Sequence, residues 1–124
     1  ADNRSPLVRN RAAIAMGNLG NSGAVDILRA MLDDPEPNVR WNAAVALARL
    51  GDSSGRRILL NLLDRKYLDQ FEQVDGYERT QAMLVAIDAA SFLNDSSLYA
   101  AIKKLSEEDV DMKIRTAAMK ALEL

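Results

Sequence analysis

One stretch of this chain occurs twice at a fixed distance, and that repetition restricts its fold more than any other feature. Pro6-Leu7-Val8-Arg9-Asn10-Arg11-Ala12-Ala13-Ile14-Ala15-Met16-Gly17-Asn18-Leu19-Gly20-Asn21-Ser22 returns as Pro37-Asn38-Val39-Arg40-Trp41-Asn42-Ala43-Ala44-Val45-Ala46-Leu47-Ala48-Arg49-Leu50-Gly51-Asp52-Ser53, an offset of 31. The match continues without a gap from Ile27-Leu28 to Ile58-Leu59 and from Met31-Leu32-Asp33 to Leu62-Leu63-Asp64. A third copy follows an insertion: Leu93-Asn94-Asp95-Ser96 answers Leu50-Gly51-Asp52-Ser53 at an offset of 43, twelve residues more. There Ala86 and Ala89 answer Ala43 and Ala46, while Ile102 and Leu105 replace Leu59 and Leu62. A partial fourth copy begins at Ile114-Arg115, which answers Val39-Arg40, with Ala118, Ala121 and Leu122 in register. Repeats of this length are single supersecondary units that bury their apolar faces only against one another.

Each unit reads as two helices. Val39, Ala43, Ala46, Leu47 and Leu50 recur at three- and four-residue spacing, the signature of a helix with one buried face. Gly20 and Gly51 fall just past that helix, where glycine suits a left-handed cap. Ser22, Ser53 and Ser96 come next and are expected to N-cap the second helix. That second helix buries Ile27, Leu28, Met31 and Leu32 or their counterparts. Pro35-Glu36-Pro37 ends it before the next unit. The units are expected at about 5–34, 35–65 and 77–108, with a partial one over 109–124 and an insertion at about 66–77. Asp2 aligns with Asp33, and Leu124 closes a first helix without a second. A segment of a longer stack, or ends covered by self-association, is therefore expected.

The pattern Val-Arg-x-x-Ala-Ala-x-Ala-Leu-x-x-Leu-Gly-Asp followed by Leu-x-x-Leu-Leu-x-Asp, best carried by Val39 through Asp64, resembles the short HEAT-like repeats also found in phycobilin lyases. Val8 through Asp33 follows it closely, and Ala82 through Glu107 is degenerate, with Met83 where the arginine belongs. The resemblance implies an all-α fold: a right-handed α-solenoid of antiparallel helix pairs, about three and a half repeats in a single domain. It also implies protein-protein interaction or scaffolding, or alternatively a bilin or small-ligand lyase-like role.

Composition narrows the chemistry. The sequence holds no Cys and no His, which excludes disulfides, thiolate nucleophiles, cysteine-ligated zinc and a histidine general base. Iron enzymes of this repeat class that depend on His-Glu motifs are excluded with them. The net charge of −2 argues against a general attraction to nucleic acid or anionic membrane. No apolar run approaches the ~20 residues of a membrane span. No phosphate-cradling glycine loop, nucleophile elbow or ligand-spaced carboxylate set is present. The expectation is a non-enzyme without cofactor or metal, whose partner is another protein or an acidic peptide segment.

In such stacks the second helices line the concave face, and their non-core positions form the expected binding surface. By register these are Val25, Asp26, Arg29 and Ala30; Arg56, Arg57, Leu60 and Asn61; Tyr99, Ala100, Lys103 and Lys104. Five are basic and one acidic, with Asp33 and Asp64 expected to dilute the field. In the insertion, Leu59, Leu63, Tyr67, Phe71 and Val74 recur at about four residues. The spacing predicts that the second helix of unit two continues past Asp64 and turns near Asp75-Gly76. Tyr67, Phe71 and Tyr77 then either project as a binding surface or fold back over the joint between units two and three. Trp41 takes an outer position where unit one has Asn10, so an exposed indole is expected. Arg9, Arg40 and Arg115 share one repeat position and are read as structural, pairing with acidic or carbonyl groups of a neighbouring unit.

Overall fold

The computed structural model describes residues 5–19 and 22–123, and among them every regular element is helical. The helices are α1 (Pro6–Leu19), α2 (Ser22–Met31), α3 (Pro37–Arg49), α4 (Arg56–Leu62), α5 (Arg65–Leu68), α6 (Gly76–Ala90), α7 (Ser96–Glu108) and α8 (Met112–Leu122). A 3₁₀ turn at Ser53–Gly55 leads into α4. First helices pack side by side in the order α1, α3, α6, α8. The second helices form another layer: α2 lies on α1 and α3, α4 on α3, α6 and α7, and α7 on α4, α6 and α8.

Residues in register share their surroundings wherever a neighbour is present. Ala13, Ala44 and Ile87 are all buried, as are Leu28, Leu59 and Ile102. Val39 and Ile114 are fully buried, whereas Val8 is 41% exposed. The difference follows from position in the row, since no described helix precedes α1. Its Leu7 and Ile14 are exposed for the same reason. Small residues make close stacking feasible. Ala43, Ala44, Ala46 and Ala48 bury almost completely on α3 and let helices approach on several sides.

The boundaries are set by aspartate and glycine. Gly51 has φ +81°, its N–H donates to the Ala48 carbonyl, and the Asp52 N–H donates to that of Leu47, both at 2.9 Å. This is the glycine-terminated helix end expected from sequence. Gly20 lies outside the described residues, as do Asp2, Leu124 and the side chain of Ser22.

The caps expected at Ser53 and Ser96 are corrected, because the residue before each of these two does the capping. The Asp52 carboxylate accepts from the Ser54 N–H, and that of Asp95 from the N–H groups of Ser97 and Leu98. A carboxylate satisfies an orphan donor and also meets the positive end of the helix, which a hydroxyl does less well. Ser53 and Ser96 are instead the first residues of their helical turns.

Gly55 is buried where the 3₁₀ turn meets α3. A Cβ there would lie 2.7 Å from the Cβ of Ala44 and 2.8 Å from its Cα. Only glycine permits that approach.

The insertion also departs from expectation. Helix α4 stops at Leu62, and Asp64 opens the single turn α5 by accepting from the Lys66 N–H at 3.0 Å. Asp75-Gly76 is not a free turn but the start of α6. Asp75 accepts from the Glu78 N–H at 2.8 Å, and Glu78 returns the bond to the Asp75 N–H at 3.3 Å. This reciprocal cap fixes where unit three begins.

Candidate protein-binding surface

The second-helix face keeps its basic residues, but not all of them are available to a partner. Arg29 on α2 donates to the Asp52 carboxylate at 2.5 Å and to the Ser54 hydroxyl at 3.0 Å, with Asp26 at 3.8 Å. Arg56 at the start of α4 lies 3.5 Å from Asp95. Each arginine reaches the aspartate that caps the next second helix, so both tie neighbouring units together. Asp52 and Asp95, rather than Asp33 and Asp64, are therefore what neutralises this face. Burial alone would raise the Asp52 carboxyl, but hydrogen bonds from Ser54 and Arg29 and the Arg29 charge hold it below its ordinary value.

Arg57, Lys103 and Lys104 are exposed and form no ion pair with any described residue. By register Arg57 and Asn61 on α4 correspond to Ala100 and Lys104 on α7, so Arg57 and Lys104 lie in one stripe. Leu60 is half-buried against the core, while Tyr99 is 54% exposed.

The aromatics of the insertion fold back. Tyr67 and Phe71 are half-buried, with ring centroids 5.1 Å apart. Their centroids lie 6.4 and 5.2 Å from that of Trp41, in edge-to-face contact. Trp41 is only 7% exposed, which corrects the expectation of an outer, accessible indole. The four-residue spacing that suggested a longer α4 records burial, not helix. Breaking at Leu63–Asp64 turns Tyr67 and Phe71 onto Trp41, where three rings lose water together. Tyr77 alone of the three insertion aromatics stays exposed, at 74%. With Trp41, Val45, Gln81 and Val85 it borders a groove of about 270 Å³ between α3 and α6.

The shared arginine position is structural, with a substitution in unit three. Arg9 binds the Asp34 carboxylate through Nη2 at 3.0 Å and Nε at 2.6 Å, both side chains being almost fully buried. Asp34 also accepts from the Glu36 N–H at 2.9 Å, and Arg40 donates to the Asp34 carbonyl at 2.7 Å. Asp109 stands 75 residues after Asp34, as Ile114 does after Val39, and repeats the turn by accepting from the Asp111 N–H at 3.0 Å.

Its arginine comes from elsewhere. Unit three has Met83 at the repeat position, fully buried in the core. Arg65 of α5 replaces it, donating to both Asp109 oxygens at 3.0 and 2.8 Å. The first residue of α5, at the edge of the insertion, thus supplies the cation that the degenerate unit lacks. For Asp34 and Asp109, burial works to raise the carboxyl, yet the Arg9 or Arg65 hydrogen bond, the turn N–H and the arginine charge prevail and lower it. Sequence reasoning missed Arg65, though the Met83 anomaly and the 75-residue spacing of the two aspartates were both visible.

Two parallel layers of antiparallel helix pairs, in register at 31 and 43 residues and tied by an arginine–aspartate contact at each joint, define a helical repeat protein. The family model described as HEAT repeats matches residues 1–73, and the chain belongs to that family. No curated protein matches it. No described helix is long and apolar enough to cross a membrane. HEAT repeats generally mediate protein-protein interaction or scaffolding.

Proposed function

We propose that this chain is a non-catalytic binding module that holds an acidic segment of another protein along its second helices. The reading is carried by Arg57, Lys103 and Lys104, which stay exposed and unpaired among the described residues while Arg29 and Arg56 are engaged by aspartates. Cations without an internal partner keep their charge available and steer an acidic ligand from solution. Arg56 is a poor choice for a test, since reversing it would set two carboxylates together at Asp95.

Arg57→Glu with Lys104→Glu alters the free cations alone. Capture of partner protein on the immobilised chain is expected to fall by about tenfold or more, since each reversal replaces attraction by repulsion. The helical spectrum and melting temperature should stay within error of the parent. Undiminished capture would exclude this face. Raising salt should weaken capture by the parent and have little effect on the variant.

A further inference from the structure

One joint of the stack is built differently from its neighbour. Between α1 and α3 the side-chain amide of Asn42 donates to the side-chain carbonyl of Asn10 at 2.9 Å. The offsets of 31 and 43 residues put Trp41 and Val85 at those two positions of the joint between α3 and α6. Valine cannot complete an amide bridge, and the groove of about 270 Å³ lies there instead. Both of its walls are internal, since α3 also packs on α1 and α6 on α8.

The two ends of the groove are unlike. Its floor is apolar, formed by Leu62 of α4 and by Val74 from the insertion, both buried. Val45 and Val85 flank one end, and beyond them Arg49 pairs with Asp88 across the joint at 3.1 Å. The other end is acidic. Glu78 lines the groove and is exposed, and one of its carboxylate oxygens accepts from the Asp75 N–H. Glu36 and Asp75, the residues that open α3 and α6, stand at the same end. The two arginines there are engaged: Arg40 donates to the Asp34 carbonyl at 2.7 Å and Arg79 to that of Val74 at 2.6 Å, with Asp69 at 3.4 Å. No Lys or Arg lines the groove among the described residues.

An apolar trough ending on a carboxylate complements a side chain with an aliphatic stem and a cationic head. Tyr77, 74% exposed beside Glu78, offers that head an aromatic surface as well. From Tyr77 to Val85 the α6 wall is about 12 Å long, the reach of roughly three to four extended residues. Asn38, Tyr77, Gln81 and Val85 on the rim are all exposed. The groove is therefore shallow, which suits side chains of a larger chain better than an engulfed small molecule.

We infer that this groove docks a short extended segment of a partner protein carrying an arginine and, two residues away, a leucine-type side chain. In an extended chain such residues point the same way. The guanidinium meets Glu78 and Tyr77, and the apolar side chain lies over the floor towards Val85. The inference rests on reading the chain as a protein-binding module, but takes a partner segment of the opposite charge and uses none of Arg57, Lys103 and Lys104.

Trp41 is the single tryptophan of the chain and borders the groove, so its emission reports occupancy. The probe is the capped pentapeptide Leu-Ser-Arg-Ser-Leu, which presents the spacing in both chain directions, titrated into the full chain at low salt. A saturable change in emission is expected. Glutamate in place of the peptide's arginine should remove it, and serine in place of both leucines should weaken binding by about tenfold or more. Glu78→Gln should weaken it by about three- to fivefold, as for an exposed ion pair, while glutamine keeps the reciprocal cap with Asp75. Gln81→Arg, which gives Glu78 a cation of its own and fills the trough, should abolish binding. Circular dichroism and thermal melting establish that each variant is folded, and both positions are exposed enough to leave the core intact.

A response that does not saturate would overturn the inference, as would equal affinity for the arginine and glutamate peptides, or binding unchanged in Glu78→Gln or Gln81→Arg. So would tighter binding of benzyltrimethylammonium in the peptide's place, since the groove would then seat a free organic cation. Arg57→Glu with Lys104→Glu should leave peptide affinity unchanged, so failure of one surface is readable apart from failure of the other.

Discussion

Asp34→Ala is expected to lower the unfolding free energy by about 3–5 kcal/mol, the cost of removing one member of a buried ion pair. Arg9 is 9% exposed and Asp34 2%, so water cannot readily take over the lost bonds. The substitution also removes the acceptor for the Glu36 N–H at the entrance to α3. Urea denaturation followed by helical ellipticity measures the loss as a lower midpoint at similar slope.

Two controls separate the charge from the packing. Arg9→Met in the Asp34→Ala background should recover part of the loss, because an apolar pair avoids the desolvation of a buried guanidinium. The cost of Asp34→Ala should also depend on pH in a defined direction. The Asp34 carboxyl is held below its ordinary value of 3.8 in the folded chain. Its contribution is therefore complete above that value and is lost as pH falls towards the lower folded one. The gap between parent and variant should be full at pH 7 and close below about pH 4. A gap unchanged at pH 3 would assign the effect to packing rather than ionisation.

Arg65→Ala is the second large effect, at about 3 kcal/mol or more. It strands Asp109, whose side chain is 4% exposed, and removes both hydrogen bonds from the guanidinium. Asp109 further holds the turn into α8 through the Asp111 N–H, so the α7–α8 joint should loosen with it. Arg65→Lys should rescue little, since an ammonium cannot present two parallel donors to one carboxylate. Thermal melting of the three proteins tests this, and near-parental stability of the lysine variant would show that charge alone suffices.

The repeat made most of the architecture readable from sequence. The offset that carries Ala13 onto Ala44 and Leu28 onto Leu59 reports equivalent burial, because a helix pair can stack only in one register. The insertion was less legible. Leu59, Leu63, Tyr67 and Phe71 keep helical spacing although the chain breaks at Asp64, since a back-folded segment and a continuous helix can bury the same residues. Trp41 was misplaced for the same reason: what covers it lies 26 and 30 residues away, at Tyr67 and Phe71. The basic face was legible as composition and not as free charge, because Asp52 and Asp95 come to Arg29 and Arg56 only in three dimensions.

The two hydrophobic clusters are unequal in reach. Among the described residues, one runs from Trp41 through the insertion to Ala118, whereas the other gathers Ala13, Ala24, Leu28, Ala43, Ala46 and Leu47 around unit one. Opening α1 and α2 sacrifices little of the larger cluster, while nothing between Trp41 and α8 can part without rupturing it. Amide protons of α1 and α2 should therefore exchange through a local, inexpensive opening, and those of α3, α6 and α7 only when the rest of the molecule unravels as one cooperative block.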